Sequence, residues 1–179
     1  MSDDGTQDIS ILESVISDLK KYCSSSLLVL KSTVLPSHVK SILEKSKSLI
    51  LNPEFLREAS AEEDFINSSL ILFGGDSDNC LKLSDFYKNH TKCKNKNHTL
   101  VNDALSASLI KYTINSFLAT KVIFFNELKN IFDNSKMNDT WENFTSALSL
   151  DSRIGDSHMQ VPGPDGREGF GGPCFPKDT

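Results

Sequence analysis

A basic excess is missing from this sequence. Lys and Arg number 19 against 24 Asp and Glu, for a net charge of −5. That balance argues against broad nucleic-acid binding through a basic surface. Long apolar runs are missing too. The longest, such as "LLVL" and "LILF", fall far short of a membrane span. The opening "MSDDGTQD" is acidic and polar, unlike a signal peptide. No disulfide framework is visible. Cys23, Cys80, Cys93 and Cys174 are widely spaced in a chain that is neither small nor cysteine-dense. A protein of the reducing cytoplasm, with no membrane and no nucleic-acid partner, is therefore expected. The Asn-x-Ser/Thr triplets at Asn67, Asn89, Asn97, Asn138 and Asn143 then read as a by-product of Asn and Ser richness. There is no internal repeat. There is also no G-x-G-x-x-G phosphate loop. "GFGG" at 169–172 is not one, because no strand leads into it and Pro173 and Pro176 interrupt any helix after it.

What is present is an ordinary globular composition, 38% hydrophobic and 24% charged, in 179 residues. That suffices for one domain or parts of two. "SILESVISDLKKYC" places Ile11, Leu12, Val15, Ile16 and Leu19 on one helical face, with Ser10 and Glu13 as a capping box. "SLLVLKST" reads as a buried strand, "PSHVKSILEKSK" as a helix with Pro36 in its first turn, and "SLILNPEF" as a second strand. A helical stretch, a third strand "SLILFGG" and a helix "DNCLKLSDFYKNH" come next. A polar connector rich in Lys and Asn then runs to about Leu100. Such alternation predicts an α/β fold with a parallel sheet and right-handed crossovers. Ligands bind such sheets at the carboxyl ends of the strands, where Ser32-Thr33 and Asn52-Pro53-Glu54 fall. From Asn102 to Phe132 a 3.6-residue apolar period predicts one long helix, roughly 45 Å of it, enough to link domains or form a dimer interface. Asp139 and Glu142 are candidate caps for a short helix through Leu150, after which a Gly- and Pro-rich loop runs to the end.

Three polar pairs share a spacing of four: Glu54 with Glu58, Lys111 with Asn115, and Cys174 with Asp178. On a helix such pairs face one side. Each has an ordinary alternative. The glutamates suit a solvated helix start, Lys111 can snorkel to water, Cys174 can be an inert buried thiol, and the glycines near it can serve only a turn. A lysine inside an apolar helical run must nonetheless reach water or find partners. Cys80, His90, Cys93 and His98 lack the close Cys-x2–4-Cys arm of structural zinc sites, so no metal is expected.

The segments "NPEFLREASAEEDF", "LIKYTINSFLATKVIFFNEL", "DSRIG" and "GFGGPCFPKD" occur in that order, preceded by "KSTVLP". Together, over essentially the whole chain, they resemble the UDP-glucose 6-dehydrogenase branch of the nucleotide-sugar dehydrogenases. "GFGGPCFPKD" and "RIG" look more like UDP-glucose enzymes than GDP-mannose enzymes. The resemblance implies NAD as cofactor, a UDP-sugar as substrate, and oxidation of a sugar CH2OH to a carboxylate. By the same resemblance Cys174 would be the nucleophile. Lys111 and Asn115 would stabilise oxyanions, and Asp178 would position a water or assist proton transfer. Glu58 would act as acid/base with Glu54 in support. Ser32, Thr33, Glu58 and Cys174 would face the cofactor, Thr33 also a catalytic water. Phe55, Leu56 and Arg57 would line the sugar-nucleotide site, with the backbone of Gly169, Phe170, Gly171 and Gly172 against the sugar. Arg153 would reach the substrate of a partner subunit, making the long helix a homodimer element.

The resemblance further implies the second half of a Rossmann-like sheet, residues 1–100 with the connector, followed by a mostly helical central domain, 101–179. Relatives open with a strand, a Gly-rich loop and a helix, and continue past "CFPKD" into a nucleotide-binding domain. This chain is therefore expected to be an internal piece, inactive alone. Alternatives are a non-catalytic dimerisation or interaction module, a remnant of such an enzyme, and GDP-mannose or another UDP-sugar as substrate.

Overall fold

Apolar periodicity and turn chemistry place most elements where the sequence suggests. The computed structural model describes residues 7–23, 25–46, 48–57, 60–172 and 175–179. The chain divides into two units, Met1–Tyr112 and Thr113–Thr179.

The first unit opens with α1, Ser10–Tyr22, which buries Ile16 and lays Ile9 and Leu12 against the core. Ser10 is the first helical residue rather than the cap. Its N–H is taken by the Asp8 carboxylate at 2.9 Å, so the expected capping box does not form. Next come β1 (Leu28–Leu30), α2 (Pro36–Lys45), β2 (Leu49–Leu51), α3 (Ala61–Asn67), β3 (Leu72–Gly74) and α4 (Ser77–His90). Pro36 begins α2, where a missing N–H costs nothing, and Asp76 caps α4 by accepting the Asn79 N–H. β4, Thr99–Val101, lies in what the sequence presents as a polar connector. It is short, and Thr99 and Leu100 are exposed, so no apolar run announces it.

The strands order β1-β2-β3-β4. β1 pairs with β2, and β3 with β4, in parallel, but β2 meets β3 antiparallel through Leu51 and Gly74. The all-parallel expectation fails at this one junction. A parallel crossover needs a helix that runs back along the sheet. Here residues 52–57 are irregular and α3 has only 7 residues, so β3 starts near the end at which β2 stops. Both faces are covered. Leu49, Leu51 and Leu72 belong to a core with α1 and α2, whereas Ile50, Ile71 and Phe73 belong to one with α4. Two-residue alternation across a sheet buried on both sides explains why the strands read as continuous apolar runs. Gly74 marks the tightest approach. A Cβ there would strike Ala107 Cβ and lie 2.7 Å from the Asp103 carbonyl oxygen.

A single helix, α5 (Ala104–Asn134, 31 residues), contains the boundary between the units. In the second unit it is followed by α6, Trp141–Ser149, a long loop, and α7, Phe175–Asp178, so the loop does not run to the end as expected: a single helical turn forms there, with Pro176 in its first turn, where a missing N–H is tolerated. Phe125, Phe132, Trp141, Met159 and Val161 form this unit's core. The cap of α6 is Thr140, whose hydroxyl accepts the Asn143 N–H at 3.2 Å. The expected cap Asp139 instead accepts the Thr140 N–H at 2.8 Å and the Asn143 amide at 3.1 Å, one step outside the helix.

Candidate active site

In the first unit the site grows from the chain leaving β2. Asn52 extends the ladder, its N–H donating to the Leu30 carbonyl at 2.8 Å. Residues 52–57 are not helical, so the helix-start reading of Glu54, paired on one face with Glu58, is corrected. Pro53 opens the segment, and Glu54 turns back on it, Oε2 accepting the Leu56 N–H at 2.7 Å. Glu58 lies outside the described residues.

Lys111 does not snorkel. It is 4% exposed, and its Nζ donates to the Glu54 carbonyl at 2.5 Å. The same Nζ is 3.6 Å from Glu54 Oε1 and 5.1 Å from the Phe55 ring centroid. A buried ammonium is costly unless such partners compensate it. Glu54 and Lys111 are thus brought together, although 57 residues separate them in sequence. Arg57 instead forks onto Asp64, Nε at 2.9 Å and Nη2 at 2.6 Å. This pairing holds the Asp64 carboxyl well below the usual range and raises Arg57.

A small open cleft adjoins Glu54, lined also by Lys31, Asn52, Phe55, Leu56 and Tyr87. Sequence reasoning singled out neither Lys31 nor Tyr87. Lys31 follows an apolar strand as an ordinary surface lysine would, and Tyr87 reads as one more core aromatic on α4.

At the end of β1, Thr33 is half-buried and Ser32 exposed. Gln7 clamps this turn, its Nε2 donating to the Thr33 carbonyl at 3.0 Å and its Oε1 accepting the Leu35 N–H at 2.9 Å. Ser32 and Thr33 place two hydroxyls at this turn. The turn they sit on is not a pyrophosphate cradle, because Pro36 opens α2 without an N–H and no glycine precedes it.

The second unit holds a separate buried polar group. Asp178, 5% exposed, accepts the Asn115 amide at 2.6 Å on Oδ2 and the Lys177 ammonium at 2.7 Å on Oδ1. Its carbonyl accepts the Ser116 hydroxyl at 3.2 Å. Cys174 lies outside the described residues. Gly169 and Gly172 have φ of +79° and +76°, the left-handed region that glycine tolerates, and the Gly169 N–H donates to Asn126 Oδ1 at 2.9 Å. Phe170 packs edge-on to Phe175, and Gly171 and Gly172 are exposed. Arg153 points into solvent, 87% exposed, and pairs with its neighbour Asp151 at 2.5 Å.

Among the described residues no group of three or more His, Cys, Asp or Glu is arranged to hold a metal ion. Cys80 and Cys93 pack in the core beneath α4, and His98 Nδ1 meets the Ser84 hydroxyl at 2.8 Å.

The first unit is a Rossmann-like α/β fold, a class that takes ligands at the carboxyl ends of its strands, and it is joined to a helical unit with a buried Asn–Asp pair. Comparison with known sequences makes it specific. Residues 1–91 match the NAD binding domain of the UDP-glucose/GDP-mannose dehydrogenase family, and residues 105–179 match its central domain. The chain belongs to this family, and NAD is the cofactor that membership brings. It is 36% identical over 184 residues to UDP-glucose 6-dehydrogenase of Rickettsia bellii, covering 97% of this chain and 40% of that protein. The Rickettsia felis enzyme of the same name is 37% identical over 174 residues, 93% of this chain and 36% of that protein. Among solved structures, a UDP-glucose dehydrogenase from Pyrobaculum islandicum superposes with a TM-score of 0.77 at 32% identity, over 99% of this chain and 41% of the other. A GDP-mannose dehydrogenase from Pseudomonas aeruginosa gives 0.69 at 26% identity, over 99% of this chain and 42% of the other. The chain thus spans about two-fifths of the length of the relatives it matches. No helix among the described residues is long and apolar enough to cross a membrane.

Proposed function

We propose that this chain carries the reaction centre of an NAD-dependent dehydrogenase that oxidises C6 of UDP-glucose from alcohol to carboxylate. The observation that supports it most is Lys111. A buried ammonium held at 2.5 Å by the Glu54 carbonyl stands ready for negative charge that develops on a substrate oxygen. When bound, NAD would supply the hydride-accepting chemistry for the two oxidations at C6. Ser32 and Thr33 would hold its nicotinamide side. Cys174 Sγ forms a bond to the C6 aldehyde between the oxidations, and the carbonyl electron pair becomes an oxyanion. Lys111 and Asn115 stabilise that oxyanion. After the second oxidation C6 is a thioester. Water adds to it with Glu58 as base, the C–S bond breaks, and the thiolate leaves. A thiol suits both steps, being a good nucleophile and a good leaving group. Asp178 would order a water or take a proton in the first oxidation, and Glu54 would support Lys111. Phe55, Leu56, Arg57 and the backbone of 169–172 would bind the sugar nucleotide. The two domains would be residues 1–100 and 101–179.

The test is a chimera in which these 179 residues replace the matching segment of the Rickettsia bellii enzyme. NADH should form from UDP-glucose faster than from GDP-mannose, and Cys174→Ser should abolish it. A folded, NAD-binding chimera that makes no NADH would sink the reading.

A non-catalytic dimerisation module is the second reading. It rests on the exposed apolar residues Phe117, Phe124 and Ile131 of α5, spaced by seven. In the enzymatic reading the same stripe forms the homodimer, and solvent-facing Arg153 reaches the partner's substrate.

A further inference from the structure

Asn52 is 3% exposed and stands one residue beyond β2. Its hydrogen bonds reach four other residues of the unit. The N–H goes to the Leu30 carbonyl of β1 at 2.8 Å, and Nδ2 goes to the Leu72 carbonyl of β3 at 3.0 Å. Oδ1 accepts from the Tyr87 hydroxyl of α4 at 2.6 Å and from Lys31 Nζ at 3.0 Å. Lys31 Nζ also lies 3.2 Å from the Tyr87 oxygen, so the three side chains close a triangle.

A buried asparagine at a strand end often does no more than satisfy stray backbone groups. That accounts for the bonds to Leu30 and Leu72. It does not account for a phenol and an ammonium meeting on one amide oxygen. The Tyr87 ring would stay packed without its hydroxyl, since it already meets Phe73 and Phe65 edge-on at 5.1 and 6.1 Å. The lysine also gives up solvation to be there. Burial pushes its ammonium below the ordinary value, while Glu54 and Cys93 pull it back up.

Two residues after Asn52, the Glu54 carbonyl takes the Lys111 ammonium. Between them stands Pro53, whose fixed φ leaves little slack in the backbone. An error in the direction of Asn52 therefore passes to the Glu54 carbonyl with little absorbed on the way. We propose that Tyr87, Lys31 and Asn52 are positioning residues that fix the Glu54 carbonyl, and through it the orientation of the Lys111 ammonium. α4, which contributes none of the motifs that carry the chemistry, would thus set the aim of a group in the proposed reaction centre. The importance of Lys111 rests on the dehydrogenase reading, but the positioning claim is tested without turnover.

The test follows lysine ammonium groups of the purified chain by proton–nitrogen NMR. Lys111 is buried, so its ammonium protons should exchange slowly enough to be seen. Tyr87→Phe should move the Lys111 signal and speed its exchange several-fold. The backbone amides of Val39 and Ile42, buried in α2, should keep their protection. Lys31→Met removes the second arm while keeping most of the side-chain stem, and should produce the same change; it serves alone if Tyr87→Phe does not fold. The proposal is overturned if Lys111 is unchanged in the folded variants. It is equally overturned if Lys111 changes only in step with Val39 and Ile42, which would mark general loosening. Failure of the dehydrogenase reading would show separately, in the chimera.

Discussion

Lys111 is the residue whose placement has the largest chemical consequence. Replacing it with Met in the chimera removes the cation while keeping the stem. The turnover number should fall by roughly 100-fold, with KM changed far less, as when one oxyanion donor is lost. A raised KM with the turnover number unchanged would place Lys111 in ground-state binding instead. The residue was legible in sequence because a lysine interrupts an apolar helical run. Its partner was not, because the Glu54 carbonyl is a backbone atom that only folding brings near. His98 carries a second consequence. Burial holds it below its ordinary 6.5, against an upward pull from the hydrogen bond to the Asn95 carbonyl, and the charges of Lys88 and Lys96 add smaller downward pushes. The unfolded chain then binds more protons than the fold as pH falls through the mid-sixes, so stability drops there and levels off below the folded value. His98→Asn should flatten that part of a denaturant midpoint-against-pH curve. An unchanged curve would remove His98 from the account.

At the scale of elements, close packing makes the sharpest forecast. Gly74→Ala brings a methyl against Ala107 and the Asp103 carbonyl, neither of which is a flexible side-chain end. The cost should be ~1–3 kcal/mol in denaturant unfolding, with the overpacking felt where β3 meets α5. A neutral result would mean that the helix shifts freely. Along α5, Phe117, Phe124 and Ile131 are 65%, 60% and 59% exposed. In the proposed homodimer this stripe is covered, so the chain should sediment as a dimer and Phe124→Glu as a monomer. A dimer surviving that charge would direct attention to another surface. Helices and apolar strands were legible because their periods are local. β4 was not, since a short, exposed edge strand reads as polar loop. Nor was the antiparallel β2–β3 junction, because the sense of a strand depends on where the connection returns rather than on what the strand contains.

For the whole molecule, the family and the share of its length covered shape what to expect. The 179-residue polypeptide matches about 40% of the Rickettsia bellii protein and contains no G-x-G-x-x-G loop. Purified by itself, it should make little or no NADH from UDP-glucose, while the chimera does. Turnover by the isolated polypeptide at an ordinary enzyme rate would show that its own residues bind the cofactor well enough.

The sequence by itself determined the longer helices, the apolar strands, the family and the residue types of the proposed chemistry. These depend on short-range periods and on contiguous motifs. Only the tertiary structure decided which groups meet: Lys111 with the Glu54 carbonyl, Asn115 with Asp178, and Asn52 with Tyr87 and Lys31. Each contact joins residues far apart in the chain, and its distance is set by how helices and strands pack. A buried ammonium, carboxylate or phenol can be recognised as needing a partner from sequence alone, but the partner is chosen by the fold.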